Sequence, residues 1–142
     1  QKFLDAIPAL QNEVSGRAIM RAMHFFDENL RVDKAVSAIN MKNADAFYKI
    51  VGESGDSSFK LLQNCYVPAD TVQRIPLGIV LSQHVTGVKA VRVHGGGFAG
   101  TIIAFVEKAE THEYVSRMSE VFGAEHVYKL SIRQEGACRV EF

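Results

Sequence analysis

Four glycines fall within the six residues 95–100, between two segments rich in β-branched residues. Glycine tolerates positive φ and leaves the backbone amides uncovered, so a ligand or another part of the chain can approach them closely. The flanking segments, Lys89–His94 and Thr101–Val106, favour β-strands. The stretch therefore predicts a strand, a glycine-rich loop and a second strand, which limits the possible folds more than any other feature.

The spacing of Gly95, Gly97 and Gly100 matches the pattern G-x-G-x-x-G. A dinucleotide-binding loop of this pattern must open a helix, whereas Thr101–Ile103 favours a strand. The glycine loop of protein kinases does lie between strands, but the sequence contains no His-Arg-Asp or Asp-Phe-Gly triplet and is too short for a two-lobed kinase. Taken alone, the pattern leaves open whether the loop binds a ligand or only makes a wide turn.

Composition excludes several classes of partner. The chain has 142 residues, enough for one domain, and a formal net charge of zero, so we expect neither nucleic acid nor a membrane surface as a partner. We find no signal peptide or membrane-spanning segment and predict a cytoplasmic location. Cys65 and Cys138 are isolated in sequence and are predicted to be buried, reduced thiols. Because the first residue is Gln1, the chain is predicted to be part of a longer polypeptide.

The first half of the chain has helical periodicity. Apolar residues recur at helical spacing from about Val14 to Ile39, which predicts a long amphipathic helix. His24 on this helix is expected to be a hydrogen-bonded structural histidine. The buried stripe of this helix is predicted to comprise Ile19, Met23, Phe26 and Leu30. The further predictions are a helix capped by Asn43 and ended by Gly52, a solvated polar loop at Glu53–Ser58, and a helix from Pro76 to Gly87.

After Gly87 the pattern changes to alternation. Thr101–Val106 is apolar on both faces, which predicts an interior strand. A helix capped by Thr111 and ended by Gly123 is predicted next. Tyr128–Ile132 and Cys138–Phe142 then alternate around a turn and predict a C-terminal hairpin. Arg92 and Arg139 are expected to be surface charges on strands. The order of elements predicts an α+β fold with a mostly antiparallel sheet.

Several motifs together resemble one family. The hairpin Val93–Val106 resembles the third conserved motif of the GHMP kinases, the superfamily that includes galactokinase, homoserine kinase, mevalonate kinase and phosphomevalonate kinase. Arg21-Ala22-Met23-His24, with Glu28 and Arg31-Val32 after it, resembles a helix of galactokinases. Glu53–Ser58 and the C-terminal residues 130–140 also resemble galactokinase segments. The resemblance covers nearly the whole chain.

The resemblance implies an architecture and an activity. Residues 1–142 would form a single C-terminal domain with a ferredoxin-like antiparallel sheet and helices packed on one side. Its partner would be an N-terminal ATP-binding domain that this chain lacks, with the active site in the cleft between them. The intact protein would use ATP and Mg²⁺ to phosphorylate a sugar, galactose to galactose 1-phosphate being the first expectation. The isolated domain is expected to bind no cofactor, to be inactive, and to expose an apolar patch that could drive dimerisation.

The resemblance also implies where the site lies. We expect no catalytic and no metal-binding residue in this chain, because it lacks counterparts of the family's phosphate loop, aspartate and sugar-binding segment. His94 is a possible cleft-facing residue. Ala99 and His94 depart from the usual galactokinase residues. Two alternatives remain, a non-catalytic ligand-binding or regulatory domain and another small-molecule kinase of the superfamily. The expected phosphate-proximal loop comprises Gly95, Gly96, Gly97, Phe98, Ala99 and Gly100.

Overall fold

The structure is a computed structural model that describes residues 2–98, 100–132, 134–136 and 138–139. No described helix has the length and apolar character needed to cross a bilayer. These described residues form five α-helices and two strands, together with a π-helical turn at Ser58–Leu62 and short 3₁₀ turns at Lys108–Glu110 and Ala124–His126. The main elements are α1 (Lys2–Leu10), α2 (Gly16–Asn40), α3 (Ala44–Ser57), α4 (Arg74–Gln83), β1 (Val88–His94), β2 (Thr101–Val106) and α5 (Thr111–Phe122).

The predicted glycine-loop hairpin is confirmed. β1 and β2 pair antiparallel, with Val93 opposite Ile102 and His94 opposite Thr101, and the register shifts between Val88 and Ala90. The described residues therefore form an α+β fold whose sheet has two strands. A ferredoxin-like sheet needs four strands, so this finer prediction is not confirmed.

The predicted C-terminal hairpin is wrong for the residues that the structure describes. Residues 127–132 belong to no strand, and neither do 138–139, while 140–142 lie outside the described residues. Tyr128, Leu130 and Ile132 are 75%, 83% and 85% exposed. Alternation predicts a strand only where a neighbouring strand and a covering layer exist, and the described part of the chain supplies neither for this segment.

Helices cover both faces of the sheet, so the prediction of helices on one side is wrong. Val91 and Val93 pack with Ile79 of α4 in the main apolar cluster. On the opposite face, Phe105 of β2 forms an edge-to-face ring contact with Phe47 of α3, with ring centres 5.7 Å apart. Because side chains of a strand alternate between faces, α4 and α3 lie on opposite sides. The helix α5 packs beside α4, and α2 packs against α3.

The long helix α2 begins at its predicted place but presents a different face to the core. Ser15 caps it by accepting a hydrogen bond from the Ala18 amide at 3.2 Å. Ile19, His24 and Ala38 are its buried residues. Phe26 and Leu30 of the predicted stripe are 50% and 59% exposed. The error arises because α2 turns a largely polar face toward α3, where polar side chains pair with one another.

The predicted polar loop Glu53–Ser58 is wrong. Asn43 caps α3 as predicted, accepting from the Ala46 amide at 3.0 Å, but the helix continues through Gly52 to Ser57. Ser54, Ser57 and Ser58 are buried at 3%, 8% and 1% exposure. A helix rich in serine and glycine is favoured here because tertiary hydrogen bonds and close packing outweigh its weak intrinsic helix propensity.

The predictions for α4 and α5 agree with the structure better. The helices α4 and α5 are confirmed, and Gly123, with φ of 92°, follows the end of α5. Thr111 is the first residue of α5 and not its cap, since its hydroxyl donates to the Glu107 carbonyl at 3.1 Å. Cys65 is buried as predicted, whereas Cys138 is exposed, so the prediction that Cys138 is buried is wrong.

Candidate functional site

The glycine loop connects β1 to β2 with an unusual run of left-handed backbone. Positive φ occurs at Gly95 (68°), Gly97 (79°), Phe98 (50°) and Gly100 (119°). Ala99, a predicted loop residue, lies outside the described residues. Backbone that changes between right-handed and left-handed conformation from one residue to the next can turn successive amides toward a common side. Anion-binding concavities are built in this way.

Asn64 contacts the loop at two points. Its backbone carbonyl accepts a hydrogen bond from the Phe98 amide at 2.9 Å, and its side-chain Nδ2 donates to the Gly96 carbonyl at 3.4 Å. Asn64 is only 4% exposed. A Cβ atom at Gly97 would overlap the carbonyl of Asn64, so glycine is required there by close approach as well as by φ. One side of the loop is thus held against the body of the domain.

The other side of the loop is open. Among the residues that the structure describes, no heavy atom outside the adjacent residues lies within 4 Å of a Cβ atom added at Gly95, Gly96 or Gly100. All three glycines are exposed, and so is His94 at the end of β1. An incoming group could therefore approach the backbone here without displacing protein atoms.

Phe98 carries strain at the tip of the loop. A bulky residue with φ of 50° is an outlier, because its Cβ crowds the following carbonyl. Its side chain is 49% exposed and therefore does not repay this cost by full burial. Strained residues of this kind concentrate at functional sites, where the surrounding structure holds them in place.

Charged side chains join α2, α3 and β1 at Arg92, in the strand that leads into the loop. Glu28 accepts from Arg31 Nε at 2.8 Å, from Arg92 Nη1 at 3.4 Å and from the Ser54 hydroxyl. Arg92 also donates to Ser54 Oγ at 2.6 Å. The prediction that Arg92 is a solvent-facing strand charge is therefore wrong. We call Glu28, Arg31, Ser54 and Arg92, with His24 and Ser57, the Glu28 network.

His24 and Ser57 complete this network. His24 Nδ1 lies 2.9 Å from Ser57 Oγ, and Arg31 Nη2 donates to the same hydroxyl at 2.8 Å. The prediction of a hydrogen-bonded structural histidine is confirmed. The side chains of Arg31 and Glu28 are 13% and 25% exposed, so both charges are largely removed from water.

Burial and charge shift the titration of this network. Burial lowers the pKa of His24, and the positive charges of Arg31 and Arg92 lower it further against the opposing effect of Glu28. Burial alone would raise the pKa of Glu28, but hydrogen bonds from Ser54 and Arg31 outweigh it and hold that pKa below its usual value. The stable state of the network is thus a neutral imidazole beside an ionised carboxylate.

Sequence reasoning located the loop but missed what supports it. It placed Gly95, Gly96, Gly97, Phe98 and Gly100 at one site, and the structure places them in one loop. Asn64 has no motif of its own, and its role depends on a tertiary contact 32 residues away in sequence. The described residues contain no group of three or more side chains arranged to hold a metal ion.

Comparisons with known proteins identify the class. The chain is 35% identical to a galacturonokinase of Arabidopsis thaliana over 104 residues, covering 72% of this chain and 23% of the relative. It is 35% identical over 103 residues to a galactokinase of Mannheimia succiniciproducens, covering 68% and 24% respectively. A galactokinase of Staphylococcus carnosus is 31% identical over 108 residues, covering 73% and 25%. No family model matches the chain.

These relatives are sugar kinases by name, and the chain spans about a quarter of their length, at the C-terminal end. The match extends over most of the chain. The chain belongs to the galactokinase-like proteins.

Proposed function

We propose that this chain is the C-terminal domain of an ATP-dependent sugar kinase, in which the glycine loop faces the phosphoryl group that is transferred. The observation that carries the proposal is the loop itself, held by Asn64 on one side and open at Gly95, Gly96 and Gly100 on the other. Phosphoryl transfer depends on positioning and on stabilising charge spread over phosphate oxygens. Backbone amides at the open side fit that task.

Galactose is the first proposed acceptor, with galactose 1-phosphate as product. The relatives named galactokinase favour it. A uronic acid is the second candidate, because a galacturonokinase is equally similar over the matched residues. His94, at the edge of the loop, is proposed to face the same cleft and to donate to a phosphate or sugar hydroxyl.

ATP and Mg²⁺ are the proposed co-substrate and metal. The loop fits phosphate oxygens, but the described residues contain no group that fits a magnesium site. Glu28, the carboxylate of the Glu28 network, is engaged by Arg31, Arg92 and Ser54. We therefore propose that Mg²⁺ ligands and the catalytic carboxylate come from an N-terminal domain, and that this chain alone transfers no phosphate.

The fold is consistent with such a partner domain. On α2, large apolar residues are 50–61% exposed, namely Phe25, Phe26, Leu30, Val32, Val36 and Ile39. Contiguous exposed apolar surface on a soluble domain marks a contact site. We propose that the N-terminal domain covers part of it. The helices α4 and α5 lie side by side, as in a ferredoxin-like core, and we propose that further strands extend the sheet to that form in the intact protein.

The test is an acceptor screen with the full-length protein that contains this chain. ADP release is followed with ATP and Mg²⁺ in the presence of galactose, galacturonate, N-acetylgalactosamine, mevalonate or homoserine. Turnover that depends on galactose or galacturonate supports the proposal. Turnover only with mevalonate or homoserine assigns another superfamily activity, and binding without turnover assigns a regulatory role.

A further inference from the structure

We infer that Asn64 is a positioning residue for the glycine loop, acting through the loop and not by contact with substrate. The inference rests on the proposed function for its effect on turnover, but its structural half is independent of it. Two atoms of Asn64 bind the loop: its backbone carbonyl accepts from the Phe98 amide, and its Nδ2 donates to the Gly96 carbonyl. Its Oδ1 accepts from Cys65 Sγ at 3.7 Å, which orients the side-chain amide.

The helix α3 and its extension place Asn64 beneath the loop. After Ser57 the helix widens into the π-helical turn Ser58–Leu62, which accommodates one more residue per turn than an α-helix. Gln63 then turns the chain with φ of 57°, its amide donating to the Ser58 carbonyl at 2.8 Å. Asn64 follows at once. Single π-helical turns occur frequently at functional sites.

The same helix also fixes the strand that leads into the loop. Ser54 accepts a hydrogen bond from Arg92 at 2.6 Å, and a Cβ atom at Gly55 would lie 2.9 Å from the Val91 carbonyl. α3 therefore holds the polypeptide at Arg92, before the loop, while Asn64, two residues after the π-helical turn that extends α3, holds Gly96 and Phe98 within the loop. These two anchors define the direction in which the loop presents its open amides.

Asn64 is almost wholly buried, so a bound phosphate would not contact it. Loss of the side chain would leave the Gly96 carbonyl without its side-chain donor, so that the backbone bond from the Phe98 amide to the carbonyl of residue 64 would hold the loop alone. The loop would then sample directions that do not match the transferred phosphate. Such misplacement lowers the rate of the chemical step more than substrate binding.

The experiment compares Asn64→Ala with Lys60→Ala in the full-length protein. Lys60 is an exposed residue of the same π-helical turn and serves as the matched control. Hydrogen–deuterium exchange of the peptide spanning residues 94–105 reports on the loop without any need for activity. Steady-state kinetics with the sugar identified by the screen separates kcat from KM.

We expect Asn64→Ala to accelerate loop exchange about tenfold or more, while helix α5 keeps its protection. We expect kcat to fall about tenfold with KM for the sugar within about twofold, and Lys60→Ala to change neither. Unchanged loop exchange in Asn64→Ala overturns the inference. If wild-type protein turns over no sugar, the proposed function fails, and accelerated exchange still supports the anchoring of the loop by Asn64. A rise in KM alone, with kcat unchanged, contradicts positioning for transfer.

Discussion

Phe98 donates its backbone amide to the carbonyl of Asn64 at 2.9 Å, and this bond joins the tip of the glycine loop to the end of a helix 34 residues earlier in the chain. It holds a bulky residue in left-handed backbone and leaves the opposite side of the loop open. The candidate site is thus one face of a loop whose other face is part of the domain core.

Gly97 is predicted to be the least replaceable residue of the loop. Alanine there would bring Cβ into the Asn64 carbonyl and strain φ, whereas alanine at Gly96 meets open space without positive φ. We expect Gly97→Ala to unfold at a lower temperature than wild type and to lose about 1–3 kcal/mol of unfolding free energy. Thermal unfolding followed by circular dichroism, with Gly96→Ala as control, measures the difference. Equal losses in both variants would contradict the close contact.

Phe98→Asn is predicted to stabilise the fold while lowering activity. Asparagine tolerates left-handed backbone, so relieving the strain should raise the free energy of unfolding by about 1 kcal/mol. Urea titration of the variant and the wild-type protein tests this directly. Sugar-dependent turnover measured on the same samples should fall if the strained aromatic side chain serves the reaction. Lower stability in Phe98→Asn would show that the phenyl ring contributes more through packing than its backbone costs.

Two glycines of α3 should respond in opposite ways to alanine. Nothing lies within 4 Å of a Cβ atom at Gly52, whereas at Gly55 it would lie 2.9 Å from Arg92 Cβ. Gly52→Ala should therefore stabilise by about 0.5–1 kcal/mol through helix propensity. Gly55→Ala should destabilise by about 1–3 kcal/mol, because helix and strand must separate. Chemical denaturation of the pair provides the measurement, and a stabilised Gly55→Ala variant would refute the close packing of α3 on β1.

His24 makes stability depend on pH. Its folded-state pKa is lowered by burial, so below the usual histidine value of about 6.5 the unfolded chain binds a proton that the folded chain resists. This contribution is complete above that pH and is lost as pH falls toward the folded-state pKa, with a slope of at most about 1.4 kcal/mol per pH unit. Urea unfolding of wild type and His24→Asn between pH 8 and pH 5, roughly the range in which histidine titrates, isolates the effect. Parallel pH profiles for the two proteins would exclude it.

Prediction from sequence succeeded where the signal was local. The hairpin around the loop, the start of α2 near Val14, the Asn43 cap and α5 all depend on residues close together in the chain. These elements form because of backbone preference and short-range hydrogen bonds.

Prediction from sequence failed where polar contacts between residues far apart in the chain determine the local structure. Ser54 and Ser57 look like loop residues until Glu28 and Arg31 of α2 are seen to pair with them. For the same reason the buried face of α2 was assigned to its apolar stripe. Tyr128 and its alternating neighbours show the opposite failure, a strand pattern with no partner among the described residues. Asn64 could have been suspected only from its position after the helix.

The central claim is that a galactokinase-like protein containing this chain phosphorylates a sugar at a cleft lined by the glycine loop. Phosphorus NMR of the full-length protein with ATP, Mg²⁺ and galactose or galacturonate tests it most directly. We expect a new phosphorus signal coupled to the anomeric proton of the sugar, which appears in wild type and is strongly reduced in Gly97→Ala. A mixture in which only ATP and its slow hydrolysis to inorganic phosphate are observed, with either sugar, would contradict it.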